Sequence, residues 1–376
     1  MKRFLYVLIF GVIFFGCKKK NPYEDNPHYV PPSSVRTIGN EGGHHHLADV
    51  AVSTDNYIML SSDVLTENDD EYGIVSKWDS EGNLVFKKEE QNIRFGGIGR
   101  ISNNKFMIHT TEGMYLVDLN GNISPLGFDI PIFPDYTAFD AMVFREDTVV
   151  YVYDSTLAYL CLGAKNANNW SKFWSRCVRI DTLADSLNSY YRFIKTVVYH
   201  KGGYIGIATL KNEFFIVVKI NGDGSLNWAK EVKVKSVIWD GIEAFDRGIV
   251  LVGDAGCPIV IKLDSLGNLQ WFKKFCNAPN GRNWVFGFNT VSPTSDGKYF
   301  AFGYSSTCSC ITAVKFDDYR NTPIIREYIW GPYQSAMGSE PTPDGNIVVA
   351  GPCRFEGDKY HKTCLIKLDK DGNPVW

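Results

Sequence analysis

Two short phrases recur in strict alternation along the chain, and a repeat of this kind constrains the architecture before any single residue does. The first is a turn followed by an apolar run that ends in small residues. It stands at residues 55–60 (DNYIML), 103–108 (NNKFMI), 146–151 (EDTVVY), 201–208 (KGGYIGIA), 246–253 (DRGIVLVG), 296–303 (DGKYFAFG) and 344–351 (DGNIVVAG). The second is an apolar strand, a basic residue, a D-x-x-G turn and an aromatic. It is clearest at 75–86 (VSKWDSEGNLVF), 218–228 (VKINGDGSLNW), 261–271 (IKLDSLGNLQW) and 366–376 (IKLDKDGNPVW), with shortened copies at 115–123, 178–183 and 314–318.

With Ile58, Phe106, Val149, Tyr204, Ile249, Tyr299 and Ile347 as markers, the steps are 48, 43, 55, 45, 50 and 48 residues. That period matches the ~40–50 residues of a four-stranded propeller blade. Each unit reads as strand, turn, strand, hairpin loop, strand, D-x-x-G turn, strand. In that turn the Asp carboxylate accepts backbone N–H groups and the Gly takes φ > 0. The fold predicted is all-β: a seven-bladed β-propeller of four-stranded antiparallel blades over residues 44–376, with an open solenoid of the same repeats as the structural alternative. Closure has no evident strand exchange and is expected to rest on the strand near His46–Val52 packing against blade seven. Many of the 53 aromatics (24 Phe, 20 Tyr, 9 Trp) then belong to one ring rather than to several cores, and the terminal Trp or Phe of each unit is expected to wedge between blades.

The first residues carry an address. Lys2 and Arg3 precede an apolar run, Phe4 to Phe15, that ends in Gly16-Cys17. Twelve apolar residues fall short of the about 20 needed to span a bilayer, which makes 1–16 a signal peptide. Its Gly-Cys ending resembles the lipobox of bacterial lipoproteins, and that resemblance implies acylation of Cys17 and sorting to the outer membrane. Residues 17–43, with four prolines between Lys18 and Asn40, read as the lipidated Cys and a flexible tether. Residues 1–20 hold five basic and no acidic residues, so 34 basic residues face 42 acidic ones in the remainder. A body so charged repels a phosphate backbone, which argues against nucleic acid as a partner.

The K-h-D-x-x-G-x-h-x-W phrase paired with D-G-x-h-h-h-x-G resembles the propeller repeats of secreted and lipid-anchored proteins of Bacteroidetes-type bacteria. It is also similar to the tryptophan-docked blades of PQQ-type quinoprotein propellers. The resemblance implies architecture and no particular activity.

Eight cysteines remain after Cys17, an even number that suits disulfides in an exported protein. Cys161 with Cys177, and Cys353 with Cys364, flank hairpin loops and are the expected pairs. Cys308 and Cys310 form half a metal motif without a second half, and read as structural thiols. His44-His45-His46 is the only histidine cluster. On an extended segment His44 and His46 face one side as potential metal ligands, but no companion His or Glu is near in sequence, which favours a solvated loop. The acidic turns at 221–224 and 369–372 lack the ligand ladder of a calcium loop. No G-x-S-x-G elbow, P-loop or H-E-x-x-H is present.

Aligning the units places His44, His46, Asp140, Tyr191, Arg192, Trp239, Asp240 and Trp284 where the chain enters the inner strands, near the channel mouth. Aromatics mixed with Arg and Asp suit a recognition patch there, and suit at least as well a channel plugged by aromatics that pack the blades. The function expected is a non-catalytic binding or scaffold module for a protein or glycan partner, anchored to the membrane through its lipid, with no cofactor. A carbohydrate- or peptide-acting hydrolase or lyase at the channel mouth is the alternative, and a PQQ-dependent dehydrogenase is less favoured.

Overall fold

The computed structural model describes residues 29–376 except 40–42, 69, 103–104, 111–112, 127–141, 146–147, 157–158, 167–170, 180–191, 201, 211–213, 277–286, 307 and 319–322. Residues 1–16, read as a signal peptide, and Cys17 lie outside the described residues. Among those described, no helix is long and apolar enough to cross a membrane.

The chain builds seven small antiparallel sheets arranged as the blades of a propeller. After a short strand β1 (Arg36–Ile38), blade 1 holds β2 (Gly43–Val52), β3 (Ile58–Thr66), β4 (Glu71–Trp78) and β5 (Leu84–Gln91). Blade 2 holds β6 (Phe95–Ser102), β7 (Lys105–Thr110), β8 (Gly113–Asp118) and β9 (Ile123–Pro125). Blade 3 holds β10 (Met142–Arg145), β11 (Thr148–Thr156), β12 (Tyr159–Asn166) and β13 (Lys172–Arg179). Blade 4 holds β14 (Arg192–His200), β15 (Gly203–Leu210), β16 (Phe214–Asn221) and β17 (Leu226–Val232). Blade 5 holds β18 (Val237–Glu243), β19 (Ile249–Asp254), β20 (Pro258–Leu263) and β21 (Leu269–Lys274). Blade 6 holds β22 (Phe288–Pro293), β23 (Tyr299–Ser305), β24 (Cys310–Phe316) and β25 (Ile324–Tyr328). In blade 7 the inner strand is split into β26 (Tyr333–Gln334) and β27 (Gly338–Pro341), followed by β28 (Ile347–Arg354) and β29 (Lys362–Leu368).

The inner strands touch in a closed circuit, β2 to β6, β10, β14, β18, β22, β27 and back to β2, which rules out the open solenoid. The core follows from this geometry. The two middle strands of each blade are apolar on both faces, and each face is covered by a neighbouring blade. Seven apolar clusters result among the described residues, one for each seam between adjacent blades.

Closure rests on β2 packing against blade 7, as expected, and adds a strand exchange that was not expected. Residues 29–38, within the segment read as tether, belong to the ring. Val30 donates its N–H to the carbonyl of Ile329 (2.8 Å), and Val30 and Val35 are buried in the seam between blades 6 and 7. β1 then pairs with β29, Arg36 opposite Leu365 and Ile38 opposite Thr363. Residues 374–376 run along the same edge of β29, where Val375 donates to Lys367 O at 2.8 Å. The outer strand of blade 7 is thus composite, built from both ends of the described chain. Where the two meet, the Arg36 guanidinium lies 5.1 Å from the centre of the Trp376 ring and Arg36 Nε donates to Gly82 O of blade 1 (2.8 Å).

All eight described cysteines are in disulfides. The expected pairs Cys161–Cys177 and Cys353–Cys364 are formed, together with Cys257–Cys276 and Cys308–Cys310.

Candidate functional site

The two faces of the ring use their residues differently. One carries the D-G turns and the D-x-x-G turns. In the latter, Asp79, Asp118, Asp264 and Asp369 each accept two backbone N–H groups through Oδ1 and the side-chain amide of the Asn after the Gly through Oδ2. Burial works against these carboxylates, but the Asn and backbone N–H hydrogen bonds together outweigh it and hold them below the usual range.

The same turns receive the aromatic of the preceding blade. A Cβ on Gly121 would strike Phe86, on Gly224 Trp174, on Gly267 Trp228 and on Gly82 Trp376. Three indole N–H groups donate across the seam, Trp174 to Gly222 O (2.9 Å), Trp271 to Asp318 O (3.0 Å) and Trp376 to Ser80 O (2.9 Å). The basic residue of the phrase is a second latch. Lys262 pairs with Asp246 of its own blade (2.5 Å) and faces Asp318 of the next (3.7 Å). Lys315 reaches Asp296 (2.8 Å) and Asp371 (3.3 Å), and Lys367 reaches Asp344 (2.6 Å) and Ser80 O (3.0 Å). This face is committed to holding blades together.

The opposite face carries the loops between second and third strands and the connections into the inner strands, and most of the expected ligand residues lie there. Asp140, Tyr191 and Trp284 are outside the described residues. Arg192 opens β14 opposite Leu210. Trp239, half-buried, sits at a bulge in β18.

His44 and His46 stand at the start of β2 on the side away from His45. The His45 side chain turns into the seam, where Nδ1 meets Thr363 Oγ1 (2.8 Å) and Ser62 Oγ (3.3 Å). Burial first, and then the charge of Lys87 and the neighbouring imidazoles, brings His45 down to about 3, so it is a neutral structural residue at physiological pH. The His44 ring lies 6.2 Å from His46, 5.3 Å from Tyr360 and 5.2 Å from His361. His361 stacks on Tyr333 (4.6 Å, 12°), which in turn meets Tyr304 at 5.4 Å. A strip of imidazoles and phenols therefore crosses blades 1, 7 and 6. His361 is held below its ordinary value by burial, then by His44, Arg354 and His46.

Asp240 is drawn elsewhere. Its Oδ1 accepts from Gly241 N (2.7 Å) and its Oδ2 from Val291 N of the next blade (2.9 Å). Asp49 does the same in blade 1, with Ile98 N of blade 2 at 3.0 Å. These carboxylates tie neighbouring inner strands together. Between them lies Glu340 of β27, whose carboxyl is pushed up to about 8 by burial and by Asp49 and Asp240, against the pull of Arg100. Glu340, His361, Tyr333 and Tyr304 were not among the residues expected from sequence. No local motif marks them; only alignment of the inner strands and hairpin loops across distant units would have brought them together. Glu327 lies beside the sulfurs of Cys308 and Cys310, but the two thiols are joined in a disulfide.

No protein-family model matches the chain, and a search of curated proteins finds no match. Solved structures do match. The chain is similar to the Dos1 propeller (TM-score 0.52, 12% identity, 88% of this chain and 93% of that one). It is also similar to hydrazine synthase of Kuenenia stuttgartiensis (TM-score 0.59, 9%, 89% and 98%). A third match is YCF48 of Cyanidioschyzon merolae (TM-score 0.54, 12%, 90% and 100%). At such identities the likeness speaks for the propeller fold alone.

Proposed function

We propose that the protein is an outer-membrane lipoprotein, anchored through Cys17, whose propeller is a non-catalytic binding or scaffold module for a protein or glycan. The observation that carries this reading is the division of labour between the faces. One face spends its recurring turns on docking neighbouring blades. The other presents a continuous strip of His44, His46, His361, Tyr360, Tyr333 and Tyr304 on a rigid ring, the aromatic composition of a recognition surface. Four disulfides suit an oxidising compartment outside the cytosol, which supports the export reading.

Photo-crosslinking in intact cells tests it. A crosslinking residue at Tyr360 is expected to trap a partner, and one at Leu266 on the turn face is not. Adducts at Leu266 alone, or at neither site, would contradict the reading. Cys17→Ser is expected to release the protein from membranes, and retention would remove the lipoprotein assignment.

A hydrolase or lyase acting on carbohydrate or peptide is the second reading, favoured by Glu340. A carboxyl kept protonated at neutral pH is what a general acid requires. Turnover of a glycan or peptide library, lost in Glu340→Gln, would put this reading first.

A further inference from the structure

We propose that His44, His46 and His361 form a three-imidazole site for a divalent transition metal of the zinc class, bridging blades 1 and 7 across the seam where the ring closes. The site goes beyond the binding function above and does not depend on it.

The geometry begins with the strand. In β2, His44 and His46 are two residues apart, so their side chains share one side while His45 points to the other. The third ring comes from the loop between β28 and β29, and it supplies the companion that the sequence neighbourhood of His44 lacks. With zinc–nitrogen bonds of about 2.0–2.1 Å and tetrahedral angles, the ring centres of imidazoles sharing one ion stand roughly 5–5.5 Å apart. His44 and His361 are at 5.2 Å and His44 and His46 at 6.2 Å; the nitrogens of the three rings do not converge as they stand, and rotation of the exposed His46 side chain is the movement that binding requires.

The two segments are also braced to one another. The backbone N–H of His45 donates to the carbonyl of His361 (3.3 Å), so the strand that carries two imidazoles is hydrogen-bonded at the residue that carries the third. Beneath this bond the His45 ring ties Ser62 of blade 1 to Thr363 of blade 7. Tyr333 stacks flat on His361 and Tyr360 meets the His44 ring edge-on, fixing two of the three rings by packing. Such support holds the His44 and His361 imidazoles side by side before the ion arrives, and His46 is the ligand that turns in to complete the set. Three His ligands leave the fourth tetrahedral position open, and here it faces the loop side of the ring, where water or a partner's carboxylate would complete it.

The test uses tag-free protein stripped with chelator and then loaded with cobalt(II), a spectroscopic stand-in for zinc, or with zinc itself. The expected result is about one ion retained per chain after desalting, with the intense visible bands of tetrahedral cobalt. Zinc should also raise the melting temperature, because an ion held by the folded ring and not by the unfolded chain stabilises by mass action. His46→Ala removes an exposed side chain and is expected to fold normally, yet to lose both the bands and the zinc-dependent rise. His361→Ala is the second arm. The double variant Cys308→Ser, Cys310→Ser should keep the ion, which separates this site from the sulfur pair. Retention of less than about a tenth of an ion per chain, an octahedral cobalt spectrum, or a His46→Ala variant that binds as the parent does would each overturn the proposal.

Discussion

Lys262 shows how far a single residue of the repeat can be followed. Its position in the second phrase reads simply as a basic residue between apolar ones. The ring turns it inward, its side chain fully buried, with Asp246 on its own blade and Asp318 on the next. Tyr299 completes the network, donating to Asp318 Oδ1 (2.9 Å) while accepting from Phe245 N (2.7 Å). Removing one partner of a buried pair leaves the other charge uncompensated. Lys262→Met is therefore expected to cost about 3 kcal/mol, the lower part of the usual range because Asp246 is a third exposed, as measured by urea unfolding. A loss under about 0.5 kcal/mol would mean the latch contributes nothing.

Glu340 supplies the residue-scale pH dependence. A carboxyl raised to about 8 in the fold keeps its proton where the unfolded chain has already lost it. The fold then loses stability as pH rises from the ordinary Glu value to about 8, and the penalty is constant above that. Glu340→Gln carries no such penalty, so its melting temperature should exceed the parent's by a margin that grows between pH 5 and pH 8.5. Thermal scans across that range check the sign, and a pH-independent difference would contradict it.

At the scale of the element, the D-x-x-G turn was legible because its chemistry is local. Asp264 and Gly267 do what their residue types predict, and Asn268 adds an amide clamp that the pattern recorded without explaining. What the turn does for its neighbour was legible only in outline. Gly267 has φ +79° and its missing Cβ leaves room for Trp228, 2.5 Å from where that atom would sit. Gly297 has φ +75° and nothing within 4 Å. Gly297→Ala is expected to cost about 1–2 kcal/mol through backbone strain alone. Gly267→Ala should cost roughly 1–3 kcal/mol more, because the docked indole must also move. Equal losses in chemical denaturation would mean that the tryptophan docking does not set the turn.

For the whole molecule, the number of blades could be read because each copy of a phrase repeats the same periodicity within about fifty residues. The strand exchange in its closure could not. Arg36-Thr37-Ile38 is three residues long, follows a proline-rich stretch and shares no phrase with the repeat, yet its partners in β29 are more than 320 residues away. The same distance hid the third imidazole: His361 is next to His44 only because the last blade meets the first. Asp240, expected from its place near the channel mouth as a ligand residue, also joins two inner strands by accepting the Val291 N–H, a tie that no local motif announces. Closing the ring is what brings the loop-side strip of blades 6, 7 and 1 together, so the functional reading depends on it.

Hydrogen exchange on β29 tests that closure directly. In the full chain, the amides of Thr363 to Leu365 should be protected to the level of the blade cores, because β28 covers one edge of the strand and β1 the other. In a chain lacking residues 1–38 that protection should fall sharply, and the melting temperature with it. Undiminished protection in the shortened chain would show that the ring closes without β1 and would contradict the account.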